Sequence, residues 1–225
     1  MGLQGKQRRG STLIIARHGN TFDEKDVPTR VGCRTDLPLV VRGKNQAKAI
    51  ARFLSTHELV PNIAFSSPLS RTRHTCELIL DGKRDVPMLL KEEFSEVDYG
   101  PDENKTEAEV LDRVGQKALD LWDSKGIPPN GWRIDPEQIK AQWQIFGDEI
   151  LRLYPEMIVL VVTSNGIARF SPILAGDLEE WVNKGHSLKM GTGSISIFRQ
   201  VGRAEAEKKW QVEMWNQNPL KLGYR

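Results

Sequence analysis

Short apolar runs alternate with longer amphipathic stretches over most of the chain. The runs at 12–16 (TLIIA) and 157–163 (MIVLVVT) are rich in β-branched residues and predict buried strands. The second run is almost wholly apolar, which is typical of a central parallel strand covered on both faces. Weaker patterns predict further strands at 62–66 and 193–199, and an edge strand at 210–215.

Helical periodicity occupies the intervals between these strands. Ala47, Ile50, Ala51 and Leu54 recur at i, i+3, i+4 and i+7, and they give a predicted helix over 43–57 an apolar face. Three more segments have helical patterns, at 69–80, 105–154 and 166–175. Pro68 directly precedes the first of them, where a proline is well tolerated. The segment 105–154 contains two helical patterns, separated by a break at Gly126-Ile127-Pro128-Pro129.

The alternation of strands and helices predicts right-handed crossovers and a sheet covered on both sides. The expected fold class is therefore α/β, a three-layer α/β/α sandwich with a mostly parallel central sheet. No repeat, low-complexity tract or linker divides the sequence. We expect a single domain over 1–225, with a flexible tail at 1–11 and a helical insertion over the site at 105–154.

Charge and cysteine content narrow the functional classes. The 225 residues carry a formal charge of +2, with acids and bases mixed, which disfavours nucleic-acid or membrane-surface binding through bulk charge. The one basic cluster, Lys6 to Arg9, favours a solvated tail over a targeting segment or a segment that binds an anionic partner. No apolar run approaches the roughly 20 residues of a membrane span. Cys33 and Cys76 lack the spacing of metal ligands and indicate free thiols in a reducing cytoplasm.

Polar, reactive residues follow three of the predicted strands, at 17–21, 66–68 and 164–166. In α/β folds, ligands bind where strands end and helices begin. At such a point His18 could attack phosphorus or bind a metal, and the fork of Arg17 suits an anion. The tripeptide Arg17-His18-Gly19 alone is weak evidence and leaves a structural histidine open.

Four segments in the same order resemble the motifs of the histidine phosphatase superfamily, which includes the cofactor-dependent phosphoglycerate mutases. They are 17–21 (RHGNT), 36–47 with its DLPL turn and GKNQA helix start, 66–75 (SSPLSRTRHT) and 96–100 (EVDYG). Because the four occur in register over most of the chain, the resemblance is far more specific than a single motif.

The resemblance implies a role for each matched residue. His18 is the nucleophile that becomes phosphohistidine, Arg17 and Arg71 hold the phosphoryl oxygens, and Glu96 donates a proton to the leaving oxygen. Arg73 is close enough in sequence to hold the phosphoryl group instead, but the alignment with the family motif favours Arg71. Two guanidiniums can neutralise a phosphoryl group without a metal, so no cofactor and no metal are expected.

Flanking positions are implied as substrate-binding residues: Asn20, Thr21, Ser164 and Asn165. The family pattern V-V-x-H-G-x-x-x-R puts Ser164 where a second histidine is expected, and many relatives carry Glu where Asn20 stands. Losing one transition-state donor typically costs on the order of 10² to 10³ in rate. His186, in the loop before a predicted strand, is either a substitute for this histidine or a surface residue.

Three functions are compatible with these residues. The first is a cytoplasmic phosphomonoester phosphatase that acts through phosphohistidine on a small phosphorylated metabolite. The second is a phosphoglycerate-type mutase, which the acidic stretch 101–107 (PDENKTE) disfavours because a second phosphate needs cations. The third is a phosphate-ligand-binding module with impaired chemistry, for which Ser164 is the only support.

Overall fold

The computed structural model describes residues 10–83, 85–202 and 209–224. Six strands form its central sheet: β1 (Thr12–Arg17), β2 (Ile63–Ser66), β3 (Met88–Leu90), β4 (Ile158–Thr163), β5 (Ile195–Val201) and β6 (Lys209–Gln217). Their order across the sheet is β3-β2-β4-β1-β5-β6. The basic cluster at Lys6 to Arg9 lies outside the described residues.

The sheet is mostly parallel, as the sequence predicts. Strands β3, β2, β4 and β1 run parallel to one another, whereas β5 pairs antiparallel with β1 and β6 antiparallel with β5. The β1–β4 pair aligns Leu13 with Val159 and Arg17 with Thr163, so both central strands end at the same edge of the sheet. This edge is where the reactive segments predicted from the sequence begin.

Seven α-helices pack around this sheet in the described residues: α1 (Val41–Thr56), α2 (Ser70–Leu80), α3 (Glu107–Val114), α4 (Gln116–Lys125), α5 (Pro136–Leu153), α6 (Asn165–Ala168) and α7 (Leu178–Asn183). None of them is long and apolar enough to cross a membrane.

Alternate residues of β1 enter different hydrophobic clusters, as the two-residue period of a strand requires. Leu13 and Ile15 pack with the aromatic side chains of α4 and α5, whereas Ile14 and Ala16 pack with residues of α1 and α2. The sheet is thus buried on both faces, and the predicted α/β fold class is confirmed.

The boundaries of several elements differ from the sequence predictions. The segment 105–154 forms three helices rather than two, because Gly115 has a φ of +77° and separates α3 from α4. The helix expected over 166–175 is only α6 followed by a 3-10 turn over Ser171–Ala175, which contains Pro172. The short strand β3 carries no strong pattern and was not predicted.

The predicted tail also ends earlier than expected. Ser11, its last residue, is fully buried, and its hydroxyl donates to the carbonyl oxygen of Tyr154 at 3.0 Å. It also accepts a hydrogen bond from the backbone N–H of Glu156 at 3.1 Å. Ser11 therefore belongs to the folded structure, and residues 1–9 lie outside the described part.

Candidate active site

The carboxyl ends of β1 and β4 bring His18 and Ser164 to one edge of the sheet. The backbone N–H of His18 extends the strand pairing by donating to the carbonyl oxygen of Thr163 at 3.0 Å. On the other side, the carbonyl of His18 accepts from Gly193 N–H at 3.0 Å. The His18 backbone is thus held from two directions.

The imidazole of His18 is buried and oriented by its own loop. Its Nδ1 lies 2.8 Å from the carbonyl oxygen of Gly19. Because a carbonyl only accepts, Nδ1 carries the proton and Nε2 keeps its lone pair. Burial, and then the charges of Arg71 and Arg17, hold the pKa of His18 well below 6.5. A neutral imidazole with a free Nε2 is the form that can attack phosphorus.

The loop after His18 packs directly against the start of α1 through two glycines. A Cβ on Gly19 would lie 2.3 Å from the carbonyl oxygen of Gly43, and a Cβ on Gly43 would lie 2.2 Å from that of Asn20. Both distances are far below van der Waals contact. The absence of side chains at Gly19 and Gly43 therefore lets α1 meet the loop backbone to backbone.

Two guanidiniums act on the imidazole through their charge, that of the half-buried Arg17 and that of the fully buried Arg71. Arg17 donates from Nη1 to the carbonyl oxygen of Met190 at 2.5 Å, and Arg71 donates to the carbonyl oxygens of Thr35 and Gly32 at 2.7 and 3.1 Å. The Nε of each is buried and has no partner among the described residues. Arg17 lines the open cleft, whereas Arg71 is fully buried and outside the lining.

Glu96 is buried beside the same group of residues. Its Oε1 accepts hydrogen bonds from the backbone N–H groups of Val97 and Gly166, both at 2.9 Å. Burial raises the pKa of Glu96 above its usual 4.5, although these hydrogen bonds and the charges of Arg71 and Arg17 oppose that rise. A carboxyl with a raised pKa can hold a proton for transfer.

Ser164 and Asn165 lie at the start of α6. Ser164 is fully buried, and its Oγ has no hydrogen-bond partner among the described residues. Asn165 lines the cleft, and its Oδ1 accepts from the backbone N–H of Met190 at 2.9 Å. Of these two predicted substrate-binding residues, only Asn165 contributes to the lining.

The site opens into a cleft of about 1550 Å³. His18, Arg17, Glu96 and Asn165 lie in its lining together with the predicted pocket residues Asn20 and Thr21. The Asn20 Oδ1 accepts from the Thr192 hydroxyl. Further lining comes from the loop 22–31, from α1 and from the predicted insertion, which contributes Glu107, Leu119, Trp122 and Asp123.

The structure separates the alternative candidates from the site. Arg73 is exposed, and neither it nor the half-buried His74 lines the cleft. His186 is also exposed and stacks on Trp181 with ring centroids 4.2 Å apart. His186 is outside the cleft lining, so it does not replace the second histidine that the family pattern expects at position 164. The described residues contain no cluster of His, Cys, Asp or Glu that could hold a metal.

Several lining residues had no assigned role in the sequence. Tyr99 lies within the EVDYG motif, and burial, followed by the charge of Glu96, raises the pKa of its phenol. Trp122 also lines the cleft, and it contacts Arg169, whose guanidinium lies 3.9 Å from the Trp122 ring centroid and donates to its carbonyl oxygen at 2.9 Å. Tyr99 could have been found from its motif, whereas the Trp122–Arg169 contact depends on tertiary packing.

Comparison with known proteins identifies the family of this chain. The model of the histidine phosphatase superfamily (branch 1) matches residues 13–218. The chain belongs to this superfamily. The 2,3-bisphosphoglycerate-dependent phosphoglycerate mutase of Bradyrhizobium sp. (strain BTAi1 / ATCC BAA-1182) is 30% identical over 88% of this chain and 95% of its own. The corresponding mutase of Mesorhizobium japonicum is 32% identical over 84% and 91%.

Solved structures of phosphatases share the fold. A mycobacterial glucosyl-3-phosphoglycerate phosphatase aligns with a TM-score of 0.76 at 21% identity, covering 92% of this chain and 99% of its own. The α-ribazole phosphatase of Shigella flexneri aligns with a TM-score of 0.67 at 18% identity, covering 92% and 96%. This member of the histidine phosphatase superfamily thus has mutases among its sequence relatives and phosphatases among its structural neighbours.

Proposed function

We propose that this chain is a phosphomonoester phosphatase that transfers a phosphoryl group from a small phosphorylated metabolite to His18 and then to water. The observation that carries the proposal is the buried imidazole of His18, whose Nδ1 is occupied by the carbonyl oxygen of Gly19 and which lines a cleft together with Arg17 and Glu96. Phosphoryl transfer needs chiefly positioning and charge neutralisation, and both are available here.

In the first step, Nε2 of His18 attacks phosphorus and the bond from phosphorus to the leaving oxygen breaks. Arg17 and Arg71 offset the charge of the phosphoryl oxygens, and Glu96 gives its proton to the leaving oxygen. In the second step, water attacks phosphorus, the bond from phosphorus to Nε2 of His18 breaks, and Glu96 takes a proton from the attacking water. Inorganic phosphate leaves, and His18 and Glu96 return to their starting protonation states.

Ser164 supplies a hydroxyl for this chemistry in place of an imidazole. Its Oγ has no partner among the described residues, and in this mechanism it donates to a phosphoryl oxygen. A hydroxyl retains the hydrogen bond and loses the charge, so we expect an active enzyme with reduced turnover. Metal independence and a cytoplasmic location stay predictions that accompany this proposal.

A phosphoglycerate-type mutase is the second candidate, because sequence relatives at 30% identity are mutases. A mutase must keep water away from its phosphohistidine. The cleft of about 1550 Å³ leaves room for water beside a small phosphate ester. This openness supports hydrolysis over retention of the phosphoryl group.

The test is incubation with a panel of phosphomonoesters in the presence of EDTA, with free phosphate and acid-labile protein phosphate as the readouts. We expect turnover and labelling in the wild type and in His74→Gln, and neither in His18→Gln. His74 is a matched control because it is a half-buried histidine outside the cleft.

Each alternative gives its own result in the same assay. A mutase would isomerise phosphoglycerate only with a bisphosphorylated primer. A binding module would show no turnover across the panel, while phosphate esters still raised its melting temperature. Labelling that persists in His18→Gln would contradict the proposed nucleophile.

A further inference from the structure

Helix α1 has a charge pattern that opposes its own stability. Its 16 residues, Val41–Thr56, include four cations and no acid, in a chain whose 32 basic and 30 acidic residues nearly balance. Lys44, Lys48 and Arg52 follow one another at i, i+4 and i+8, a spacing at which like charges repel. Arg42 in the first turn also opposes the helix dipole, which favours anions there.

Three of the four cations face the catalytic cleft. Arg42, Lys48 and Arg52 line it, whereas Lys44, exposed on the same helix, is outside the lining. We call Arg42, Lys48 and Arg52 the basic wall. None of the three forms an ion pair or a side-chain hydrogen bond with another described residue, and all three are exposed. The acids of the cleft belong to other segments.

The basic wall starts next to the nucleophile and extends away from it. Gly43 contacts the backbone of Asn20, two residues after His18. At 1.5 Å of rise per residue, Arg52 lies about 15 Å further along the axis than Arg42. A ligand whose phosphoryl group sits at His18 can therefore run beside the wall over most of its length.

We propose that the basic wall binds additional negative charge on the leaving group of the substrate. The substrate class is then a phosphomonoester with further anionic groups, phosphate, phosphodiester or carboxylate, spaced along its length. An anionic leaving group offsets the repulsion among the cations of α1, whereas an uncharged sugar or alcohol does not. This inference rests on the proposed function, because it assigns the outer part of the same cleft.

The probes are orthophosphate and tripolyphosphate, used with EDTA at low salt as inhibitors of p-nitrophenyl phosphate hydrolysis. Orthophosphate reaches only the His18 end, whereas tripolyphosphate also extends toward the wall. In the wild type we expect competitive inhibition by both, with a Ki at least tenfold lower for tripolyphosphate. In the triple variant R42Q/K48Q/R52Q this advantage falls by about tenfold, since each exposed ion pair contributes only a few-fold.

The matched control is Lys44→Gln, which removes a cation and a like-charge repulsion from the same helix without touching the cleft. It leaves the ratio of the two Ki values as in the wild type. An equal loss in Lys44→Gln and in the triple variant would overturn the proposal, because the effect would then be that of net charge. Inhibition by tripolyphosphate that does not compete with p-nitrophenyl phosphate would also overturn it.

A binding measurement separates this inference from the proposed function. If the protein hydrolyses no phosphomonoester, the proposed function fails, but the rise in melting temperature with each probe still measures binding. A larger rise with tripolyphosphate than with orthophosphate, lost in the triple variant and kept in Lys44→Gln, supports the basic wall. Equal rises in all three proteins overturn it.

Discussion

Glu96 accepts a hydrogen bond from the backbone N–H of Gly166 at 2.9 Å, which ties the candidate acid to the turn that also contains Ser164. A Cβ at position 166 would lie 2.2 Å from Glu96 Oε1 and 2.6 Å from Val97 Cγ2. The carboxyl of Glu96 therefore occupies space that only a glycine at position 166 leaves free. Its position depends on a residue 70 places later in the sequence.

Replacement of Gly166 by Ala is expected to displace the Glu96 carboxyl. The proton donor is then misplaced, so kcat for an alkyl phosphate falls by about 10²-fold, within the usual range for general acid catalysis. Hydrolysis of p-nitrophenyl phosphate, whose leaving group needs no proton, falls far less. In a Glu96→Gln background the Gly166→Ala change adds little further loss. Additive losses would mean that Gly166 acts through something other than Glu96.

Replacement of Ser164 by Ala tests the unpartnered hydroxyl. If its Oγ donates to the charged phosphoryl group, kcat/KM falls by about tenfold, the range of one such hydrogen bond. The melting temperature changes little, because Oγ has no partner to lose among the described residues. Ser171→Ala is the matched control: its hydroxyl is also buried and unpartnered, and it lies seven residues later in the chain, in the 3-10 turn after α6. Equal activity in both variants would remove Ser164 from the mechanism.

The pH dependence of kcat/KM follows from the two shifted pKa values. His18 must be neutral, and its pKa is lowered well below 6.5, so activity is lost on the acid side only well below pH 6.5. Glu96 must be protonated, and its pKa is raised above 4.5, so activity falls as pH rises through that raised value. We expect the alkaline decline to disappear in Glu96→Gln. A rate profile in which wild type and Glu96→Gln share the alkaline limb would exclude Glu96 as the acid.

Arg169 is expected to position the Trp122 side of the cleft. Arg169→Met removes the stacking on Trp122, the hydrogen bond to its carbonyl and an ion pair to Asp123 at 3.3 Å. We expect a loss of about 2 to 3 kcal/mol in unfolding free energy, the usual range for buried hydrogen bonds of charged groups. The KM rises more than kcat falls, because Trp122 and Asp123 line the cleft.

Chemical denaturation and steady-state kinetics measure the two effects of Arg169→Met. Arg152→Met is the control, since Arg152 is exposed on α5 and forms no ion pair with another described residue. Unchanged KM together with lost stability would limit Arg169 to a structural role.

The sequence predicts best those parts of the molecule whose structure depends on residues adjacent in the chain. The apolar run of β4 and the polar residues after β1 are local signals, and both strands and the position of His18 follow from them. The α3–α4 boundary depends on Gly115, a single positive-φ residue in an otherwise helical pattern, and it was missed. Trp122 is held at the cleft by contacts with residues distant in sequence, among them Arg169, 47 residues away, and no local pattern encodes these contacts.

The backbone contact between Gly19 and Gly43 also limits how this chain can diverge. Each glycine leaves room for main-chain atoms of the other segment, so a side chain at either position separates the nucleophile loop from α1. A compensating change at the partner is not available, because the obstructing atoms are carbonyl groups that every amino acid carries. In a library of random variants, both positions should therefore be depleted of every residue except glycine, whatever ester is used for selection.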